Sequence, residues 1–292
     1  MMMNNMIKLP LVCAALAGMA VSPILAVDFL ADTTGDWDVG TNWAGGGVKP
    51  GAADLARIAQ TGRSNSIVTL DTIELVDRFI FGQGGLNSSL TVVSGGSLTT
   101  SNTGDHRFGQ SSAFTINLET GGAINVPNAK ITSDAGAIFN VNGGDFDSKH
   151  YSVGTSATLP TGSVNVNSAS ATINVADTST FGASSTISFD FNAGGSVSTW
   201  DTVDLTIAGG ATLSIAGASA LVAGTYDLLT YTGTLTGSFT TDSIDGLAGG
   251  LSGSILSDGD SIYLSVIPEP GTYTLLGGLF ALIYVMLRRR EA

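Results

Sequence analysis

Two histidines, one cysteine and scattered aspartates are the residues of this 292-residue chain whose types could do chemistry. His106 and His150 lie outside any metal-binding spacing, and each reads as a loop or surface residue. The paired acids Asp145 with Asp147, and Asp201 with Asp204, could serve glycoside or uronate chemistry. Such chemistry needs a second carboxyl or a base converging on the same groove. From Tyr151 to Leu287 there is no Lys or Arg to complete that arrangement. No serine stands in a nucleophile-elbow pattern, and no phosphate loop or zinc-binding helix is present. Gly143-Gly144-Asp145-Phe146-Asp147 and Asp258-Gly259-Asp260 place oxygen ligands on turns, as calcium requires. The first matches a calcium-binding nonapeptide only in part and occurs once, so both read as ordinary polar turns. Cys13 sits inside an N-terminal apolar run, and removal of that run leaves no thiol for a disulfide, a thiolate nucleophile or a metal. The expectation is a non-enzymatic protein with no catalytic residue, cofactor or metal.

The sharpest local pattern is at the C-terminus, from Val266 to Ala292. Pro268-Glu269-Pro270 cannot lie in a helix interior, because each proline lacks an amide donor and holds the residue before it extended. Gly271 to Leu287 follows without a charge. As a helix these positions reach roughly 25 Å, the short end of what crosses a bilayer. Arg288, Arg289 and Arg290 close the segment, and such clusters stay on the cytoplasmic side. A transmembrane helix is therefore expected over 271–287.

A Pro-Glu-Pro, one hydrophobic span and a terminal arginine cluster, in that order, resemble the PEP-CTERM sorting domain of Gram-negative bacteria. The resemblance implies that Pro268, Glu269, Pro270, Arg288, Arg289 and Arg290 form a sorting motif read by an exosortase-type membrane protease. It further implies an inner-membrane intermediate, then the cell surface or an extracellular matrix linked to exopolysaccharide. The resemblance covers about the last 26 residues and speaks of destination, not of activity.

The other end agrees with export. Lys8, the apolar run Leu9 to Val21, and Pro23-Ile24-Leu25-Ala26 read as a signal peptide over 1–26, cut after Ala26. Gly18-Met19-Ala20 offers a second site. Between the ends the chain is rich in glycine (39) and poor in charge (12%), with a formal net charge of −13. Short β-branched runs with frequent glycine point to an all-β body with tight turns. An acidic surface argues against nucleic acid as a partner, and leaves neutral glycans, cations or basic surfaces.

Repeats supply the fold. Phe114-Thr115-Ile116-Asn117-Leu118 leads through Gly121-Gly122 to Ala123-Ile124-Asn125-Val126, and comparable units start at Leu90, Ile138, Val164, Ile187 and Leu205. Each is an alternating strand, a small-residue turn and a second alternating strand. Their starts lie about 22 to 26 residues apart, and about 18 at the last, close to one rung of a β-helix. The expected fold is a right-handed parallel β-helix, or solenoid, with terminal caps. A β-sandwich with Gly-Gly hairpin turns is the alternative. The segments are then 1–26 signal, 27–89 N-terminal cap and first strands, 90–218 degenerate repeats, 219–266 C-terminal cap strands and 267–292 sorting segment.

The stretch holding Trp37, Trp43, Pro50 and Asp54 resembles the opening of many exported, autotransporter-passenger-like β-solenoids. The two tryptophans either close the end of the stack or stack on sugar rings. The combined expectation is a surface or matrix protein with a structural or adhesive role. A carbohydrate-binding or polysaccharide-cleaving β-helix is the alternative.

Overall fold

The computed structural model describes residues 25–191 and 195–290. The signal segment expected over 1–26 lies outside the described residues except for Leu25 and Ala26, as does Gly194 of one expected turn.

The body is a parallel β-solenoid of about eight turns. Nine strands form one sheet, from Thr34–Asp36 through Thr115–Leu118, Ala137–Val141 and Thr161–Val166 to Thr240–Ile244. A second, 14-stranded sheet wraps the rest. Its long strands, such as Ala123–Ser133 and Asp145–Val153, shift register midway, between Val126 and Lys130 in the first. Such a bulge bends a strand. The halves thus pair separately: Ala123–Asn125 with Ser97–Thr99, and Ile131–Ser133 with His106–Phe108. Each rung therefore presents three faces.

Parallel pairing throughout the stack overturns the β-sandwich alternative. The Gly-Gly pairs do not reverse the chain. They carry it round a corner from one sheet to the other, as Gly121-Gly122 does between Thr115–Leu118 and Ala123–Ser133. Gly144 shows why glycine is needed: its φ is +74°, and a Cβ there would lie 2.4 Å from the Gly122 carbonyl oxygen of the rung below.

Rung spacing also differs from expectation at one point. Along the nine-stranded sheet from Ile67 to Thr212, partnered residues are offset by 22 positions (Ile67 to Ser89) to 26 (Ser89 to Thr115, Thr186 to Thr212), and the next step, Thr212 to Thr240, is 28. The expected shortening to about 18 does not occur. Leu205-Thr206-Ile207 belongs to the other sheet, opposite Ser179, and the partner of Ile187 is Leu213. Alternation marks in and out, but not which face a strand joins.

The core follows from that alternation. Phe114, Ile116 and Leu118 are buried, while Thr115 and Asn117 face outward. Aromatic rings continue within and between rungs, with Phe139 5.7 Å from Phe108 of the preceding rung and 4.9 Å from Phe146 of its own. At the N-terminal end Trp37 and Trp43 pack edge-on at 4.8 Å, and Trp43 packs edge-on against Phe29 at 5.1 Å. At the other end Gly224–Tyr231 pairs antiparallel with Ser261–Pro268, which pairs antiparallel with Leu251–Ser257. This hairpin leads directly into α1, Pro270–Arg290. The span expected over 271–287 is thus a helix. No helix among the described residues is long and apolar enough to cross a membrane. Gly271, Thr274, Gly277 and Gly278 dilute its apolar character.

Candidate functional site

The tail motif sits at a joint. Pro268 ends a strand opposite Leu251, and the Glu269 backbone N–H donates to the Gly250 carbonyl at 2.8 Å. Pro270 opens the helix, where its fixed φ and missing N–H cost nothing. The Glu269 side chain is exposed just before the first turn, where an acid complements the helix dipole. Arg288 and Arg289 are exposed at the far end, beyond ten exposed large apolar residues from Leu275 to Leu287. One residue, Glu269, lies between the last strand and α1.

Trp37 and Trp43 are fully covered, and the Trp43 indole N–H donates to the Trp37 carbonyl at 2.7 Å. Neither ring face is open for a sugar in this conformation. Their placement is that of a cap, which suits a stack whose ends need closing.

His106 is not a surface residue. It starts the strand His106–Phe108, is buried, and its Nδ1 accepts the Phe79 N–H at 3.3 Å, while Nε2 has no partner. Burial, aided by the neighbouring Arg78 charge, pushes its pKa down to about 4. Polar neighbours at Asp105 and Arg107 disguise it. His150 is partly exposed, 3.6 Å from Asp177.

Asp145 and Asp147 share the outward face of one strand, whereas Asp201 and Asp204 are parted by a register shift. Asp147 accepts from Asn174 at 3.2 Å on one face, in the same column as Asp201. Asp204 follows the register shift, stands opposite Thr178 and accepts the Thr234 N–H at 2.7 Å. Asp258 accepts the Ser261 N–H at 2.9 Å, and backbone N–H groups hold its pKa down. Its proximity pushes the Asp260 carboxyl up. Among the described residues, no group of three His, Cys, Asp or Glu is placed to hold a metal ion.

One arrangement went unseen in the sequence. On the nine-stranded sheet the Asn165 amide donates to Asn140 at 2.8 Å and Asn140 donates to Asn117 at 2.8 Å. Asn117 donates in turn to Thr91 Oγ1 at 3.2 Å. A second ladder runs beside it, with Asn167 donating to Asn142 at 2.9 Å and Asn142 to Glu119 at 2.8 Å. In the two outward columns from Ile67 and Thr69 to Thr212 and Ser214, every side chain is Ser, Thr, Asn or Ile. The available signal was phase: an asparagine in the same place in three consecutive rungs.

No protein-family model, no curated protein and no solved structure matches the chain.

Proposed function

We propose that the chain is an exported, non-enzymatic surface or matrix protein, delivered by a C-terminal sorting tail of the PEP-CTERM type. The observation that carries this reading is α1: an apolar helix exposed along its length, joined to the body through Pro268-Glu269-Pro270 and ending in Arg288 to Arg290. Apolar surface on that scale calls for a cover. Lipid would supply it, with the arginines on the cytoplasmic side. A helix this diluted suits insertion that lasts only until processing, in preference to a permanent anchor. An exosortase-type protease would meet its motif at the joint beside Glu269. The solenoid's long polar faces suit a structural or adhesive role in extracellular polysaccharide. Its winding is right-handed on this reading, since parallel crossover connections almost always are.

Intact-mass spectrometry of the protein from membranes and from culture medium tests the proposal. A released species that ends near Pro268 to Pro270 is the expected result. A membrane-bound species that keeps Arg288 to Ala292, with nothing released, would overturn the sorting reading. The same masses read the N-terminus. Ala26 pairs with Leu55, and the Leu55 N–H donates to the Leu25 carbonyl at 2.9 Å. A cut after Ala26 would remove both contacts, and a cut after Ala20 would keep them.

A second reading, a carbohydrate-binding solenoid, is favoured by the uncharged central face of the nine-stranded sheet, the two outward columns from Ile67 and Thr69 to Thr212 and Ser214.

A further inference from the structure

The geometry points to that uncharged face as a binding site for a linear, uncharged polysaccharide laid along the solenoid axis, with the asparagine ladder as its central contact. The inference rests on the reading that the body works in extracellular polysaccharide, but its geometry is independent of the tail.

The ladder carries it. A primary amide has two N–H donors and two acceptor lone pairs. Asn140 spends one N–H on Asn117 and one lone pair on Asn165. One donor and one acceptor remain on it, held in a fixed orientation by the two bonds. The same holds along the ladder at intervals of about 4.8 Å, the spacing of neighbouring strands. A donor and an acceptor side by side match the vicinal hydroxyls of a sugar. A ladder of them matches a chain of sugars better than a single ring. Because the bonds within the ladder already orient the amides, binding loses little side-chain freedom.

Two further features select the ligand. Ile67 and Ile138 stand in the outward column beside the ladder, 43% and 36% exposed, and offer apolar contact to the C–H face of a sugar ring. Ile67, Ser89, Thr115 and Asn117 line a shallow depression of about 390 Å³, room for a short run of sugar units. Charge decides the class. The chain carries −13, yet from Ile67 and Thr69 to Thr212 and Ser214 the two outward columns carry no ionisable side chain; the acids around them are Asp36, paired with Thr69 at the N-terminal end, and Glu119 and Asp190 at the margin. An acidic polysaccharide would find no cation there and would meet a protein of its own sign. An uncharged one meets no penalty.

The test is affinity electrophoresis of the full chain in detergent through gels that contain dextran, galactomannan, mixed-linkage β-glucan or, as the acidic comparison, polygalacturonate. Expected is retardation by at least one uncharged polysaccharide, none by polygalacturonate, and under twofold change in affinity between low and high salt. Asn140→Asp puts a charge into the ladder and removes its donor, and should weaken binding at least tenfold. Ser163→Arg covers the adjacent column without touching a ladder bond, and keeps the test decisive should the first variant unfold. Asp147→Asn, on another face, should bind as the parent does. Absence of retardation by all three uncharged polymers, retardation by polygalacturonate that salt abolishes, or binding unchanged in both Asn140→Asp and Ser163→Arg would each overturn the site. Failure of tail processing by mass would sink the sorting reading and leave this result standing. A correctly processed protein that binds no uncharged polymer would do the reverse.

Discussion

Phe139 and Phe280 are the same residue in opposite situations. Phe139 is fully buried, with Phe108 of the preceding rung at 5.7 Å and Phe146, round the corner of its own rung, at 4.9 Å. Phe280 is 63% exposed on a helix whose other large apolar residues are exposed as well. In the solenoid each rung closes the apolar surface of the rung before it, so the body supplies its own solvent for its side chains. The tail does not. Its large apolar residues are left exposed by the described body, and on the proposed reading this difference separates the part that folds from the part that is handled.

The largest effects should confirm that the body is indifferent to the tail. Phe139→Ala should cost about 3–5 kcal/mol, the usual range for deleting a buried aromatic side chain. Phe280→Ala should leave the body's denaturant midpoint unchanged. Equal effects would show that the helix packs on the body. Gly144→Ala comes next, at about 2–3 kcal/mol, because a positive φ and a backbone clash act together. Gly278→Ala, in the helix, should be neutral or slightly stabilising to α1.

Acid should sharpen the contrast further. His106 has a folded pKa of about 4, below its ordinary 6.5. The unfolded chain therefore binds the proton first, so this contribution is whole above pH 6.5 and is lost as pH falls toward 4. The loss reaches at most about 3 kcal/mol, at 1.36 kcal/mol per pKa unit. Unfolding curves of the parent and of His106→Asn should converge as pH drops. Parallel pH dependences would remove His106 from the account.

Much of the body was legible because burial enforces period two. Phe114, Ile116 and Leu118 could face only inward, and Gly121-Gly122 could only mark a change of direction. What alternation cannot carry is the identity of the face. Leu205-Thr206-Ile207 reads like Ile187-Ser188-Phe189 yet joins the other sheet. His106 was hidden by charged neighbours that point the other way. The asparagine ladder was hidden differently: a polar residue at an outward position looks like mere solvation until the register shows three amides in line. For Trp37 and Trp43 the type was informative, but whether two large rings close a stack or receive a sugar depends on what Phe29 does.

The smallest effect on stability should be the most informative about the tail. Glu269 makes one described contact, through its backbone to Gly250, and its side chain is exposed. Glu269→Ala keeps that bond and deletes only a favourable charge at the helix start, worth about 0.3–1 kcal/mol to α1. The body's unfolding midpoint should not move. If a protease reads the motif, the same variant should still be exported yet accumulate at the membrane with Arg288 to Ala292 attached. A lysine at Leu279 should act the other way round, impairing insertion while leaving the motif intact. Normal release of Glu269→Ala, measured by intact mass in the medium, would mean that the joint is cut for its exposure alone, and that the Pro-Glu-Pro segment serves to stop the strand and start the helix.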